Sequence, residues 1–315
     1  MVRLAVGAAF GAIAGALLGA SGCAIVLGFE EGVPAADASA DASADASPDA
    51  DPSCEVDCEP CARDCGGGTC VDDVCQPYLV LEGTGEVVGL ALSESAVYWA
   101  SPNGSGPWTI WSADLGALEP MPVVSHPTEI RSIALNESSL FWGDADGFVH
   151  DRALTGGSVS SQDLILGIWD IAADETTLFV GAFGGGVYRL DLMTSSFTAF
   201  IDPGFASQAV TQGPDSVYWA NTADIRWEAK ATEYSEGTPI FTTTQAVQLA
   251  VDDQAIYWTT LDGLLWRAPF TDATKSTIGE AEIEPTTGEP HDVAVNSFLI
   301  VWSDRLAGKI YARVK

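Results

Sequence analysis

The sequence predicts an all-β chain dominated by a six-bladed β-propeller, and three observations predict it. One aromatic-rich column, Tyr98, Phe141, Phe179, Tyr218, Tyr257 and Val301, recurs at intervals of 43, 38, 39, 39 and 44 residues. The runs around that column alternate apolar and polar residues at strand period, not helix period. Turn-forming residues then punctuate the runs at matching places in every repeat. Four short strands in each unit of about forty residues is the signature of a propeller blade.

The six units read GLALSESAVYWAS (89–101), SIALNESSLFWGD (132–144), DIAADETTLFVGA (170–182), AVTQGPDSVYWAN (209–221), QLAVDDQAIYWTT (248–260) and DVAVNSFLIVWSD (292–304). The first run of each ends at a turn former, and Ser93, Asn136, Asp174, Gly213, Asp252 and Asn296 share that column. A second turn, rich in Gly, Asp and Asn, follows the aromatic pair. A third run such as GVYRLDL or LLWRAPF comes next, then a less regular fourth. Trp99, Trp142, Trp219, Trp258 and Trp302 offer the broad, flat area that twisted sheets bury between them. The column Ala91, Ala134, Ala172, Thr211, Ala250 and Ala294 stays small, as strands crowding a central axis require.

The ends of this domain, residues 77–315, specify how the ring closes. After Trp302 only one strand, GKIYARV, remains before Lys315, so the last blade lacks its fourth strand. PYLVLE, residues 77–82, is a strand without a blade. Joining the two closes the ring through a shared blade and removes an exposed sheet edge.

Ahead of the propeller the composition changes three times. Residues 1–22, with one Arg before an apolar run and small residues at the end, read as an export signal. Ala20-Ser21-Gly22-Cys23 is similar to the lipobox of bacterial lipoproteins, with Ala20 where Leu is usual, and it implies lipidation of Cys23. Residues 23–53 include AADASADASADASPDAD, too polar and too uniformly acidic to order, so they are expected to form a tether. Its ~30 residues would span about 30 Å as a flexible chain. Residues 54–76 hold Cys54, Cys58, Cys61, Cys65, Cys70 and Cys75 with almost no apolar material. In an exported chain an even count reads as three disulfides with about 15 open pairings, and the segment has no His to favour zinc. The reading is a small disulfide-rich module that stiffens the stalk.

The strings VYWAS, LFWGD, VYWAN and IYWTT, each followed by a turn and a strand like LLWRAPF, resemble YWTD repeats. These are the class B repeats of low-density-lipoprotein-receptor-type six-bladed propellers. The bacterial TolB-like propellers share the same look. The resemblance covers residues 78–315 and implies a protein-binding propeller. It departs from the pattern where only Asp144 and Asp304 close the motif with Asp, and where Val180 replaces Trp.

Charge narrows the partners. The chain carries 13 Lys and Arg against 44 Asp and Glu, for a net charge of −31. Nucleic acid and anionic lipid surfaces both need a basic face, so a membrane would be met only through the lipid anchor. A ligand site is expected at the tunnel mouth, where the innermost strands begin. There Arg131, Trp169, Asp170, Gln208, Gln248, His291 and Asp292 could converge, with Trp169 as a stacking face. Ca²⁺ is the ion such a mouth could hold, but two carboxylates are few for calcium, and no cofactor is expected. GDADGFV, residues 143–149, has the opening of a calcium loop, yet its column is the turn between second and third strands. His126 and His150 stand apart in sequence, and no nucleophile elbow, phosphate loop or His-Glu-x-x-His motif is present.

The expectation is therefore an exported lipoprotein of the bacterial outer membrane, periplasmic or surface-facing, in keeping with Ala24 after the lipidated cysteine. Its propeller, monomeric, would bind a protein, peptide or glycan. Two alternatives are a metal-dependent hydrolase or lactonase using Asp170 and Asp292, and a scaffold of an envelope assembly.

Overall fold

The computed structural model describes residues 64–315, apart from 72–73, 105, 165, 203–206, 244 and 285. The export signal, Cys23, the tether, Cys54, Cys58 and Cys61 lie outside the described residues. Among the described residues every regular element is a strand, and no helix is long and apolar enough to cross a membrane.

Six antiparallel four-stranded sheets form the ring. In chain order their innermost strands are Val88–Leu92, Ile130–Leu135, Ile168–Ala173, Ala209–Gln212, Ala246–Val251 and Pro290–Val295. Each innermost strand packs beside the next, and the sixth packs beside the first. The ring closes as the chain ends predict. Tyr78–Glu82 pairs antiparallel with Lys309–Val314, with Leu81 opposite Ile310 and Tyr78 opposite Ala312. The first and last strands of the propeller thus share one sheet, which has four strands like the other five.

Packing explains the repeated aromatic pair. Adjacent residues on a strand point to opposite faces of the sheet, so a Tyr-Trp pair serves two neighbours at once. Trp142 of the second blade packs with Ala100 and Ile110 of the first, whereas Phe141 packs with Ile171 and Leu178 of the third. The same division recurs around the ring. Six buried apolar clusters result, one between each pair of consecutive blades. Trp99, Trp142, Trp219, Trp258 and Trp302 are all almost fully buried, and Val180 fills the corresponding place in the third blade. Burying an aromatic of this size contributes about 4–6 kcal/mol at about 25 cal/mol per Å².

The small column lines the axis. Ala91, Ala134, Ala172, Thr211, Ala250 and Ala294 all face a tunnel of about 160 Å³. A larger side chain there would meet its counterparts from the other blades. The turn column behaves as its chemistry predicts. Asn136, Asp174, Asp252 and Asn296 each accept, through Oδ1, the N–H groups two and three residues on. Asn136 and Asn296 also donate from Nδ2 to the backbone of the next blade, at Asp174 and Ser93.

Before the propeller, Cys70–Val71 and Val74–Cys75 form a two-stranded ladder. Cys75 is bonded to Cys65, and Cys70 is disulfide-bonded too. The 10-residue separation of the Cys65–Cys75 bridge stabilises a segment with little core of its own by about 3 kcal/mol in the chain-entropy account.

Ring closure yields a direct test. A chain starting at residue 84 lacks Tyr78–Glu82 and exposes the Lys309–Val314 edge, whereas one starting at residue 64 keeps it. The shorter chain should aggregate or melt at a clearly lower temperature by light scattering and calorimetry. Equal melting and a clean monomer would mean that the closing strand contributes nothing.

Candidate functional site

A backbone irregularity sorts the predicted mouth residues. Five of the six innermost strands carry a register shift near their start, beside Gly89, Arg131, Trp169, Val247 and His291. A bulge inserts a residue that the ladder does not pair, and it re-aims the side chains around it. In the first blade the inserted residue is Gly89, at φ +67°, and a Cβ there would lie 3.0 Å from the backbone of Ile133. In the second and third blades the inserted residue stays at the surface while its neighbour turns inward. Arg131 is half-buried and Ser132 buried; Trp169 is 37 % exposed and Asp170 only 3 %.

The inward group forms one network around Asp170. Its Oδ1 accepts from Ser132 Oγ at 2.5 Å, from its neighbour's N–H on Ile171 at 2.9 Å and from Gln248 Nε2 at 3.2 Å. Its Oδ2 accepts the Val210 N–H at 2.8 Å. Donors from the second, third, fourth and fifth blades therefore meet on one carboxylate. Sequence reasoning brought Asp170 and Gln248 together at the mouth, but not Ser132 and Val210. Both oxygens accept hydrogen bonds, and three of the four bonds tie Asp170 to other blades.

The other predicted residues stand in separate arrangements. Asp292 is buried, with Ser303 Oγ donating to its Oδ2 at 3.0 Å. Its neighbour His291 holds Nδ1 3.5 Å from Asp292 Oδ1 and Nε2 3.4 Å from Arg305 Nη1. Arg131 pairs with Glu129 at 3.3 Å near the surface, where such pairs are worth little. Gln208 is half-buried, and its N–H is given to the Ala220 carbonyl.

Trp169 carries the surface feature of this mouth. Its indole stacks on Phe183, with ring centroids 4.3 Å apart and planes 13° from parallel. Phe183 sits in the turn after Thr177–Ala182 and is itself 60 % exposed. Its N–H bonds the Gly167 carbonyl at 2.7 Å, and a Cβ on Gly167 would come within 2.7 Å of the Phe183 Cβ. Glycine at 167 thus permits the approach that sets the stack. Phe183 was missed in the sequence because its column elsewhere holds unrelated turn residues such as Ala145 and Leu261.

The sequence also kept apart three residues that the fold unites. His126 ends the outer strand of the first blade, Asp144 ends the second strand of the second blade, and His150 lies on its third. Asp144 Oδ2 is 3.2 Å from His126 Nε2 and 3.0 Å from His150 Nε2. Asp144 Oδ1 caps the following turn through the N–H groups of Asp146 and Phe148, so the turn reading of GDADGFV holds for that oxygen. His150 Nδ1 meets Ser161 Oγ at 2.7 Å, and His126 Nδ1 accepts the Trp142 indole N–H at 3.3 Å. Burial, and then His150, lower the His126 pKa, and Asp144 and Asp146 only partly oppose this. A signal existed: aligned third strands place Trp111, His150, Tyr188, Arg226, Trp266 and Tyr311 in one column, opposite the core Trp or, in the third blade, Val180. Histidine there keeps a flat ring stacked on Trp142 while adding ring nitrogens.

The opposite face is a basin of about 1450 Å³ lined by the turns between first and second strands. Its cations are paired with its acids, Lys230 with Asp174 and Lys315 with Asp252, both at 2.6 Å, and Arg313 with Glu284.

No protein-family model matches the sequence, and no curated protein matches it. Among solved structures the chain is similar to U3-55K, with 9% identity over 76% of this chain and 98% of that one, at a TM-score of 0.55. It is also similar to a chain of the nidogen/laminin complex, with 14% identity over 62% and 79% and a TM-score of 0.52. BamB from Moraxella catarrhalis matches at a TM-score of 0.46, with 16% identity over 72% and 69%. At these identities the likeness bears on the fold alone.

Asp170 gives the mouth a pH signature. Burial is the dominant influence and lifts its pKa from 3.8 to about 6, with the bonds from Ser132, Val210, Gln248 and Ile171 opposing it. The fold therefore favours the protonated acid. This contribution is full below about pH 4 and is lost as the pH rises through about 6. Compared with Asp170→Asn, the wild type should gain on the order of 3 kcal/mol of stability between pH 7 and pH 4, as two denaturation series would show. A pH-independent difference would contradict the assignment.

Proposed function

We propose that this chain is a cell-envelope lipoprotein whose propeller is a binding module for a protein, peptide or glycan. The observation that carries the binding reading is the Trp169–Phe183 stack, two large aromatic rings left open to solvent beside the tunnel mouth. An exposed stacked pair loses little side-chain entropy when a partner covers it, and it offers flat apolar area to a sugar ring or an apolar side chain. The mouth behind it supports binding over hydrolysis. Asp170, which an enzyme would need as a ligand or base, is consumed in holding four blades together.

The nidogen/laminin structure shows a protein of this fold in a protein complex, which is in keeping with this reading. The strong negative charge keeps the domain soluble and disfavours nucleic acid. The export signal, Cys23 and the acidic tether support an anchored domain held away from a membrane surface, in the outer membrane by the Ala24 rule.

Two experiments address the two halves of the proposal. The chain should be screened against arrayed peptides and glycans beside the variant Trp169→Ala/Phe183→Ala and the control Phe298→Ala, a residue exposed away from this stack. Ligands retained by the control but at least tenfold weaker with the double variant support the mouth. Ligands indifferent to both changes would place binding elsewhere. Separately, expression with labelled fatty acid in a bacterial host should label the wild type and leave Cys23→Ala unlabelled. Equal labelling, or none in either, rejects the lipid anchor.

A further inference from the structure

We propose that His126, Asp144 and His150 form a binding site for a divalent transition-metal cation of the zinc class. This site is separate from the aromatic stack and does not depend on the binding reading above. Two imidazole Nε2 atoms and one carboxylate oxygen lie within 4.8 Å of one another, and all three side chains are nearly buried. Three strands of two different blades supply them, so no local turn brings them together. Nitrogen-rich ligands of this kind suit zinc and its first-row neighbours and are poor for calcium, which takes six or more oxygens.

The surroundings orient the set. Backbone N–H groups of Asp146 and Phe148 hold Asp144 Oδ1 and leave Oδ2 aimed at both rings. His150 can donate its Nδ1 proton to Ser161 Oγ at 2.7 Å, the outer-shell contact that a metal-bound imidazole usually makes. A tenth of the His126 side-chain surface stays open, which gives a cation its way in. Three protein ligands leave a fourth position for water.

One contact opposes the cation and makes the proposal sharp. The indole of Trp142 can only donate, so its bond to His126 Nδ1 keeps the ring proton on Nε2, pointed at Asp144. A metal on Nε2 moves that proton to Nδ1, where it faces another donor. The Trp142 bond, at 3.3 Å the longest of the set, must therefore open. Without metal the cluster is a carboxylate receiving two imidazole N–H groups. With metal it exchanges the Trp142 bond for coordination.

The test is calorimetric titration of the chelator-treated full chain with zinc chloride, with calcium chloride as the counter-probe. We expect one zinc bound at micromolar Kd and no calcium at this site. His126→Gln and His150→Gln should each weaken zinc at least tenfold. Trp142→Phe removes the competing donor and should tighten it severalfold. One equivalent of cobalt(II) should give the visible bands of a four-coordinate site, a readout that needs no variant to fold. Zinc binding weaker than millimolar would overturn the proposal and leave a hydrogen-bonded strut. So would binding indifferent to both histidine changes, or a cobalt spectrum of the hexaaquo ion.

Discussion

Everything in this molecule depends on a property of extended chain: neighbouring residues face opposite sides of a sheet. A blade inside a ring has no free face, since both are covered by other blades. One strand must therefore present large apolar groups in both directions, and an adjacent aromatic pair does this in two residues. Phe141 reaches forward into the third blade, and Trp142 reaches back into the first. The closing strand Tyr78–Glu82 follows from the same demand, because a ring with one sheet short of a strand would expose an edge.

A ring made of equal packing solutions has no centre of its own. The narrow axis, lined by small side chains, leaves room at one end for polar groups from several blades to meet. Asp170 occupies that place and binds donors from four of them. A buried carboxylate is costly unless its hydrogen bonds are made, and here they are made by different sheets. The bulge at the strand start produces the division of labour at the mouth. It turns Asp170 inward as a tie and leaves Trp169 outward as a surface. One backbone irregularity thus serves both the stability of the ring and the face it offers.

The candidate site was only partly legible before the fold was known. Position relative to the aromatic column, in a register the repeats share, gave the expectation that Arg131, Trp169, Asp170, Gln208, Gln248, His291 and Asp292 gather at the mouth, and of these the fold bonds Gln248 to Asp170. It could not say which side of a strand each would face, since a bulge shifts that register by one residue and leaves no residue pattern of its own. Phe183 was hidden for another reason. Turn positions vary freely between blades, so nothing marks the one that lies against a neighbouring ring. His126, Asp144 and His150 come from strands of two blades, and their meeting depends on how an outer strand ends beside the next sheet.

What the sequence by itself determined is the architecture: six repeats, the strand period, the small axial column, the closing strand and the cysteine-rich segment before it. These are legible because repetition averages away local ambiguity, and because each blade must satisfy the same burial condition. What only the tertiary structure decided is how polar groups are shared. The four-blade environment of Asp170 and the approach of His126 to Asp144 are contacts between blades, whereas Trp169 on Phe183 and His150 on Asp144 meet across neighbouring strands of one blade, at positions the other repeats do not share. Hydrogen bonds and ring contacts are settled by distances of a few ångströms, and such distances exist only once the strands have paired and the blades have packed.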